Sequence, residues 1–160
     1  MRDNDLIADQ DELKAHQHEF FLWPRLWETC ELAETFTWII HPFKCDQTEN
    51  IPAKPGVYSF VIKPGIVSHP ESSYLMYVGK TERTLRERFK EYFIEQRNMS
   101  RRPKIVRLLN KYQGYLFFCC SVVKEAERIG RIEEALIRAY LPPCNDQFPA
   151  NVRRVVGAFQ

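Results

Sequence analysis

Glu133 and Glu134, side by side in RIEEALIRAYLPPCN, are the carboxylates of this 160-residue chain whose setting best suits chemistry. Hydrolysis of a phosphodiester with a divalent cation asks for three things. A carboxylate must hold the ion, because Mg²⁺ is commonly bound through one or two carboxylates plus phosphate oxygens. A cationic side chain must meet the charge that develops on the phosphate. Some group must orient or deprotonate the attacking water. On a helix, Glu133 shares a face with Ile129, Leu136, Ile137 and Tyr140, whereas Glu134 lies about 100° round, beside Arg131 and Arg138. A carboxylate on the apolar side needs a reason, such as a metal, an arginine or an active site. The alternative is a partly exposed glutamate at the edge of the stripe, and spacing alone leaves both open.

The cations gather upstream. Lys80 directly follows Gly79 and precedes a helix, where a close backbone approach and helix-start amides both suit an anion. On that helix Arg88 neighbours Leu85, Phe89 and Tyr92 on the inward side. Arg83, Arg86 and Lys90 face outward, either as contacts to a nucleic acid or as an ordinary charged face. Arg101, Arg102 and Lys104, in NMSRRPK, extend the basic stretch. Tyr58 and Tyr77 taken alone are weak signals, since strand tyrosines are usually structural.

These residues need elements to hold them. Residues 56–62 (GVYSFVI) read as a strand and 74–78 as its return partner, joined by a Pro- and Gly-bearing loop. Thr84 can cap a helix reaching about Asn98. Ile105, Val106, Leu108 and Leu109 mark a second helix, which Gly114 ends. YLFFCCSVV, 115–123, fits a buried central strand, and 125–140 form a last core helix with Ile129, Ile132, Leu136, Ile137 and Tyr140 on one face. The expected fold is α/β (α+β), a small three-stranded, largely antiparallel sheet flanked by helices. The expected organisation is a mostly helical N-terminal extension over 1–50, a catalytic domain over 51–148 and a peripheral tail over 149–160. Within the extension, helices are expected at about 9–22 and 25–35, divided by Pro24. TFTWII, 35–40, reads as a short strand or a buried linker.

Charge is segregated along the chain. Residues 1–50 carry 4 basic and 11 acidic side chains, net −7, and residues 51–160 carry 19 and 10, net +9. A basic body favours a polyanionic partner. Five cysteines, an odd number without C-x-x-C, read as reduced and mostly core thiols rather than a zinc site. No apolar run approaches the roughly 18 residues of a membrane span, and the N-terminus lacks a signal-peptide pattern. A cytoplasmic protein without membrane contact is expected.

Taken together, GVY at 56–58, YVG at 77–79, Arg88 in the following helix, Glu133, and Asn145 after a proline resemble the GIY-YIG nuclease superfamily. The resemblance covers about 55–145 and is strongest locally to the N-terminal nuclease domain of the nucleotide-excision-repair incision subunit, with its Pro-Gly-Val-Tyr, Tyr-Val-Gly-Lys and Glu-x-x-Leu-Ile…Pro-x-x-Asn segments. It selects Glu133 over Glu134. It implies a DNA endonuclease dependent on one Mg²⁺ or Mn²⁺ held by Glu133, in restriction, phage defence, mobile-element or repair settings. By the same resemblance Tyr58 would orient or activate water, Tyr77 would support the site at the phosphate, and Arg88 would stabilise the transition state. Asn145 would hold the architecture or the substrate, and Lys80 would contact phosphate or assist the base. Tyr92 stands where the family often has His or Tyr, and with Arg83, Arg86, Lys90, Arg101, Arg102 and Lys104 completes the expected nucleic-acid surface. A tyrosine base would need a depressed pKa or a relay. The stretch from Gly79 to Arg88 is one residue longer than in the repair nuclease, which keeps Arg86 as the alternative to Arg88. Two further readings are a non-catalytic nucleic-acid-binding subunit and an interaction module docking a partner through Trp23, Trp27 and Trp38. The extension is expected to pack on the sheet, with an intramolecular DNA mimic as the alternative. A palindromic double-strand cutter would need two active sites, which a homodimer would supply, though nothing in the sequence indicates one.

Overall fold

After its glycine, the GVYSFVI segment is built almost wholly of residues that favour extended backbone, and it becomes an inner strand of the sheet. The computed structural model describes all residues except 1, 2, 33, 34, 70, 99–101, 149 and 160. Four strands, β1 (Ile39–Pro42), β2 (Gly56–Ile62), β3 (Tyr74–Thr81) and β4 (Leu116–Val122), pair antiparallel in the order β1-β4-β2-β3. The sheet therefore has four strands where three were expected. The extra one comes from the ambiguous TFTWII segment, whose last two residues, followed by His41 and Pro42, pair with Phe117–Cys120. A short outer strand ending in proline suits an edge, where a missing N–H removes no ladder bond.

Among the described residues six helices accompany the sheet: α1 (Asp3–Ala15), α2 (Pro24–Glu28), α3 (Leu85–Glu95), α4 (Pro103–Lys111), α5 (Ala126–Tyr140) and α6 (Ala150–Val156). Alternation along β2 divides the core. Tyr58, Phe60 and Ile62 pack with Leu85, Phe89, Ile105 and Leu108 of α3 and α4. Val57 packs on the other face with Ile129 and Ile132 of α5. The stripe that α5 buries runs Ile129, Ile132, Leu136, Ala139, and Tyr140, expected inward, is 54% exposed. One residue advances the helix by about 100°, which carries Tyr140 past the packed stripe.

The N-terminal helices differ from the expected bounds. Phe20 to Trp23 is extended rather than helical, with Phe20 and Leu22 exposed and Phe21 and Trp23 half-buried, a period of two. Pro24 does restart the chain, as the first residue of α2. The tail is less peripheral than expected: Val152 of α6 is buried with Leu26 and Leu141. The extension is also tied to the body by Trp27 Nε1, which donates to Ala139 O at 2.8 Å. Among the described residues no helix is long and apolar enough to cross a membrane. All five cysteines are free thiols, and Cys119, Cys120 and Cys144 are buried.

Thr84 caps α3 as expected, in a reciprocal box with Glu87. The Thr84 hydroxyl accepts from Glu87 N at 3.1 Å, and the Glu87 carboxylate accepts from Thr84 N at 3.1 Å. Thr84→Ala should lower the unfolding free energy by about 1 kcal/mol, read as a shifted urea midpoint at an unchanged slope.

Candidate active site

A bulge sets the site. Phe60 pairs with Tyr77 but Val61 pairs with Leu75, so Met76 is the extra residue of β3. The one-residue shift turns Tyr77 to the same face as Tyr58 and Phe60, where unbroken pairing from Leu75 would turn it away. Gly79 lies opposite Tyr58 in the ladder, and without a side chain it lets the Tyr58 phenol lie across the strand. The Tyr58 and Tyr77 rings are 6.3 Å apart, centre to centre.

Behind Tyr77 the side chains of α3 close a polar network. The Tyr58 and Tyr92 hydroxyls are 2.8 Å apart. Arg88 Nε donates to the Tyr58 hydroxyl at 3.0 Å and Nη2 to the Tyr92 hydroxyl at 3.3 Å. Arg88 Nη1 donates to Glu91 at 2.7 Å and to Glu95 at 3.1 Å. Burial works against the Arg88 charge, but the Tyr92 and Tyr58 phenols and the Glu91 carboxylate outweigh it and raise its pKa. Tyr92 is fully buried, so its phenol serves this network rather than a surface.

In front, at the β3 edge of the sheet, Tyr77, Arg102, Glu133, Glu134, Asn145 and Arg153 line a depression of about 460 Å³. Arg102 binds Glu95 through Nε, at 3.1 Å, and through Nη2, and its Nη1 donates to the Tyr77 hydroxyl at 3.4 Å. Asn145 fastens the wall. Its Oδ1 accepts from Val78 N at 2.9 Å and its Nδ2 donates to Val78 O at 2.8 Å, closing the free edge of β3. Glu133 Oε2 is 3.6 Å from Lys80 Nζ, which lies over Gly130 of α5. Burial raises the Glu133 pKa, against the pull of Lys80.

The remaining basic residues are dispersed. Arg86 is held by Glu49, with an ion pair at 3.0 Å, and by the Ile51 carbonyl at 2.9 Å, away from the depression. Arg83 pairs with Glu91 at 2.6 Å, and Lys104 with Asp146 at 3.0 Å. Lys90 is exposed on α3, and Arg101 lies outside the described residues. Sequence reading missed Glu91, Glu95 and Arg153. The first two stand three and seven residues after Arg88 on the same helix face, a legible signal. Arg153 arrives from the tail, where nothing in the sequence marked it.

Compared with family models, curated proteins and solved structures, the chain gives no significant match.

Among the described residues no three His, Cys, Asp or Glu side chains cluster as a metal cage. A half-buried carboxylate in an open polar depression, with Lys80 as its nearest cation, still fits a hard divalent ion that keeps most of its waters. Glu133 would hold such an ion, and Asn145, with both amide atoms on Val78, supports the wall.

Burial and the neighbouring Tyr77 push the Tyr58 pKa up to about 12, and burial likewise raises Tyr77 and Tyr92. At pH 8 only about one Tyr58 in ten thousand is then a phenolate. Tyr58 is therefore a neutral phenol, hydrogen-bonded to Tyr92 and Arg88. Ultraviolet difference titration of the wild type against Tyr58→Phe should place this phenol near pH 12, and a transition near pH 8 would restore Tyr58 as a direct base.

Proposed function

We propose that the chain is a divalent-metal-dependent endonuclease of the GIY-YIG type that hydrolyses DNA phosphodiester bonds. The observation that carries this reading is the convergence of Tyr77, Arg102 and Glu133 on one depression, with the Tyr58–Arg88–Tyr92 network directly behind Tyr77. The net charge of +9 over residues 51–160 favours a polyanionic substrate.

When bound, Mg²⁺ or Mn²⁺ would polarise the phosphate and lower the pKa of a coordinated water. The chain's residues supply the rest. Glu133 contributes the anionic anchor. Tyr77 presents its hydroxyl at the depression, and Tyr58 and Tyr92 pass hydrogen bonds from behind it. The arginines offset the charge that gathers on the phosphate as a P–O bond forms to water and the bond to the leaving oxygen breaks. The products are a phosphomonoester end and a hydroxyl end.

A second reading rests on the closed state of Arg88, held by two carboxylates, and on neutral Tyr58: a subunit that binds nucleic acid without cutting it. End-labelled double- and single-stranded DNA, incubated with Mg²⁺, with Mn²⁺ and with chelator, separates the two. Metal-dependent fragments support the nuclease. Salt-sensitive binding with no fragments under any condition supports the subunit.

A further inference from the structure

We propose that Arg102, rather than Arg88, is the guanidinium that grips the phosphodiester in the depression. The proposal deepens the nuclease reading and rests on it.

A guanidinium has five N–H donors. In Arg88, Nε is taken by Tyr58, Nη1 by Glu91 and Glu95, and Nη2 by Tyr92. One proton is left, which does not make a two-pronged contact. In Arg102, Nε and one Nη2 proton go to Glu95, and one Nη1 proton goes to Tyr77. Nη1 and Nη2 then each keep one proton without a partner among the described residues. Two such N–H groups on one planar guanidinium can each meet a phosphate oxygen.

Position agrees with this count. Arg102 lines the depression together with Glu133, and Arg88 does not. The Arg102 side chain is 28% exposed against 17% for Arg88. Both guanidiniums lie over the Tyr92 ring, Arg88 at 4.5 Å and Arg102 at 5.2 Å from its centre. Glu95 joins them, Oε1 to Arg88 and Oε2 to Arg102. Arg83, Arg88 and Arg102 against Glu91 and Glu95 leave one positive charge in the cluster, and the arginine with free donors faces the depression. Arg88 thus holds the tyrosines, and Arg102 is turned to the substrate.

Two measurements on the full chain test this. The first is cleavage of labelled duplex DNA with Mg²⁺ by the wild type and by Arg102→Lys, which keeps the charge and loses the planar guanidinium. kcat should fall by about 100-fold, with KM changed by less than about threefold and the salt slope of binding retained. The second needs no catalysis: the Nε–H signals of Arg88 and Arg102 in the wild type, followed by nitrogen NMR as the dinucleotide dTpdT is added without metal. The Arg102 signal should shift to saturation while that of Arg88 stays. Wild-type turnover by Arg102→Lys, or a shift confined to Arg88, overturns the proposal and leaves the nuclease standing. A wild type that cuts nothing with Mg²⁺ or Mn²⁺ sinks the nuclease reading instead. The titration then still decides: a saturating Arg102 shift upholds the phosphate contact, and no shift removes it.

Discussion

Glu133→Ala is expected to reduce Mg²⁺-dependent DNA cleavage by about 1000-fold or more while the protein stays folded. The size follows from its position as the carboxylate on α5 that both faces the depression and stands beside Lys80. Losing a single preorganised donor to developing charge already costs about 100- to 1000-fold, and here the anchor of the ion goes. The fold should tolerate the change. The half-exposed Lys80 finds water when its partner is removed, and the Glu133 charge is itself held against a burial penalty. A carboxyl whose folded pKa is raised favours the native state below its unfolded pKa, and that advantage is lost as pH rises through the folded value. At neutral pH the ionised side chain therefore gives the fold no benefit through this shift. In the metal-free protein the Glu133 carboxyl should titrate above 4.5, the ordinary glutamate value, as read from its side-chain carboxyl carbon signal by NMR. A circular-dichroism melt of Glu133→Ala beside the cleavage assay separates lost chemistry from lost folding. Loss of cutting in Glu134→Ala with Glu133→Ala active would move the ion to the neighbouring carboxylate, which lines the same depression.

Much of this arrangement was legible because its signals are local. GVYSFVI could hardly be other than a strand, Thr84 with Glu87 three residues later announces a helix start, and the apolar run LFFCCSV reads as an inner strand. Glu133 stood out because an acid at the margin of an apolar helix stripe needs a cause. What stayed hidden depends on distant contacts. TFTWII carries no alternation, so only the presence of β4 beside it makes a strand of its end. Phe20 to Trp23 mimics a helical repeat but obeys a two-residue period once Phe21 and Trp23 meet α6 and its surroundings. The division of labour between Arg88 and Arg102 was also out of reach, because it depends on which carboxylate of α3 accepts which guanidinium proton. Arg86 illustrates the same limit. By spacing it matches an outward cation, yet the Cys45–Asn50 turn, folded back on α3, claims its guanidinium.

The two motif glycines should fail in different ways when given a methyl group. At Gly56 an added Cβ would lie 2.1 Å from the Ser121 carbonyl oxygen. That oxygen belongs to the backbone of β4, one pair in from the end of its ladder with β2, and the pairing holds it in place. Gly56→Ala should therefore cost at least about 3 kcal/mol, the upper end for forced overpacking, and appear as a large drop in melting temperature or as insoluble protein. At Gly79 the added Cβ would lie 2.7 Å from Cζ and the hydroxyl of Tyr58 and 2.9 Å from Tyr77 Cε1. These are side chains, and they can turn aside. The stability loss for Gly79→Ala should accordingly be smaller, about 1 to 2 kcal/mol. The displaced Tyr58 phenol would part from Arg88 and Tyr92, so cutting should fall far more than stability does. A Gly79→Ala protein with a lowered melting temperature but full turnover would show that the Tyr58 relay contributes nothing to the chemistry. A stable protein with turnover cut about tenfold or more would assign the YVG glycine to positioning that phenol.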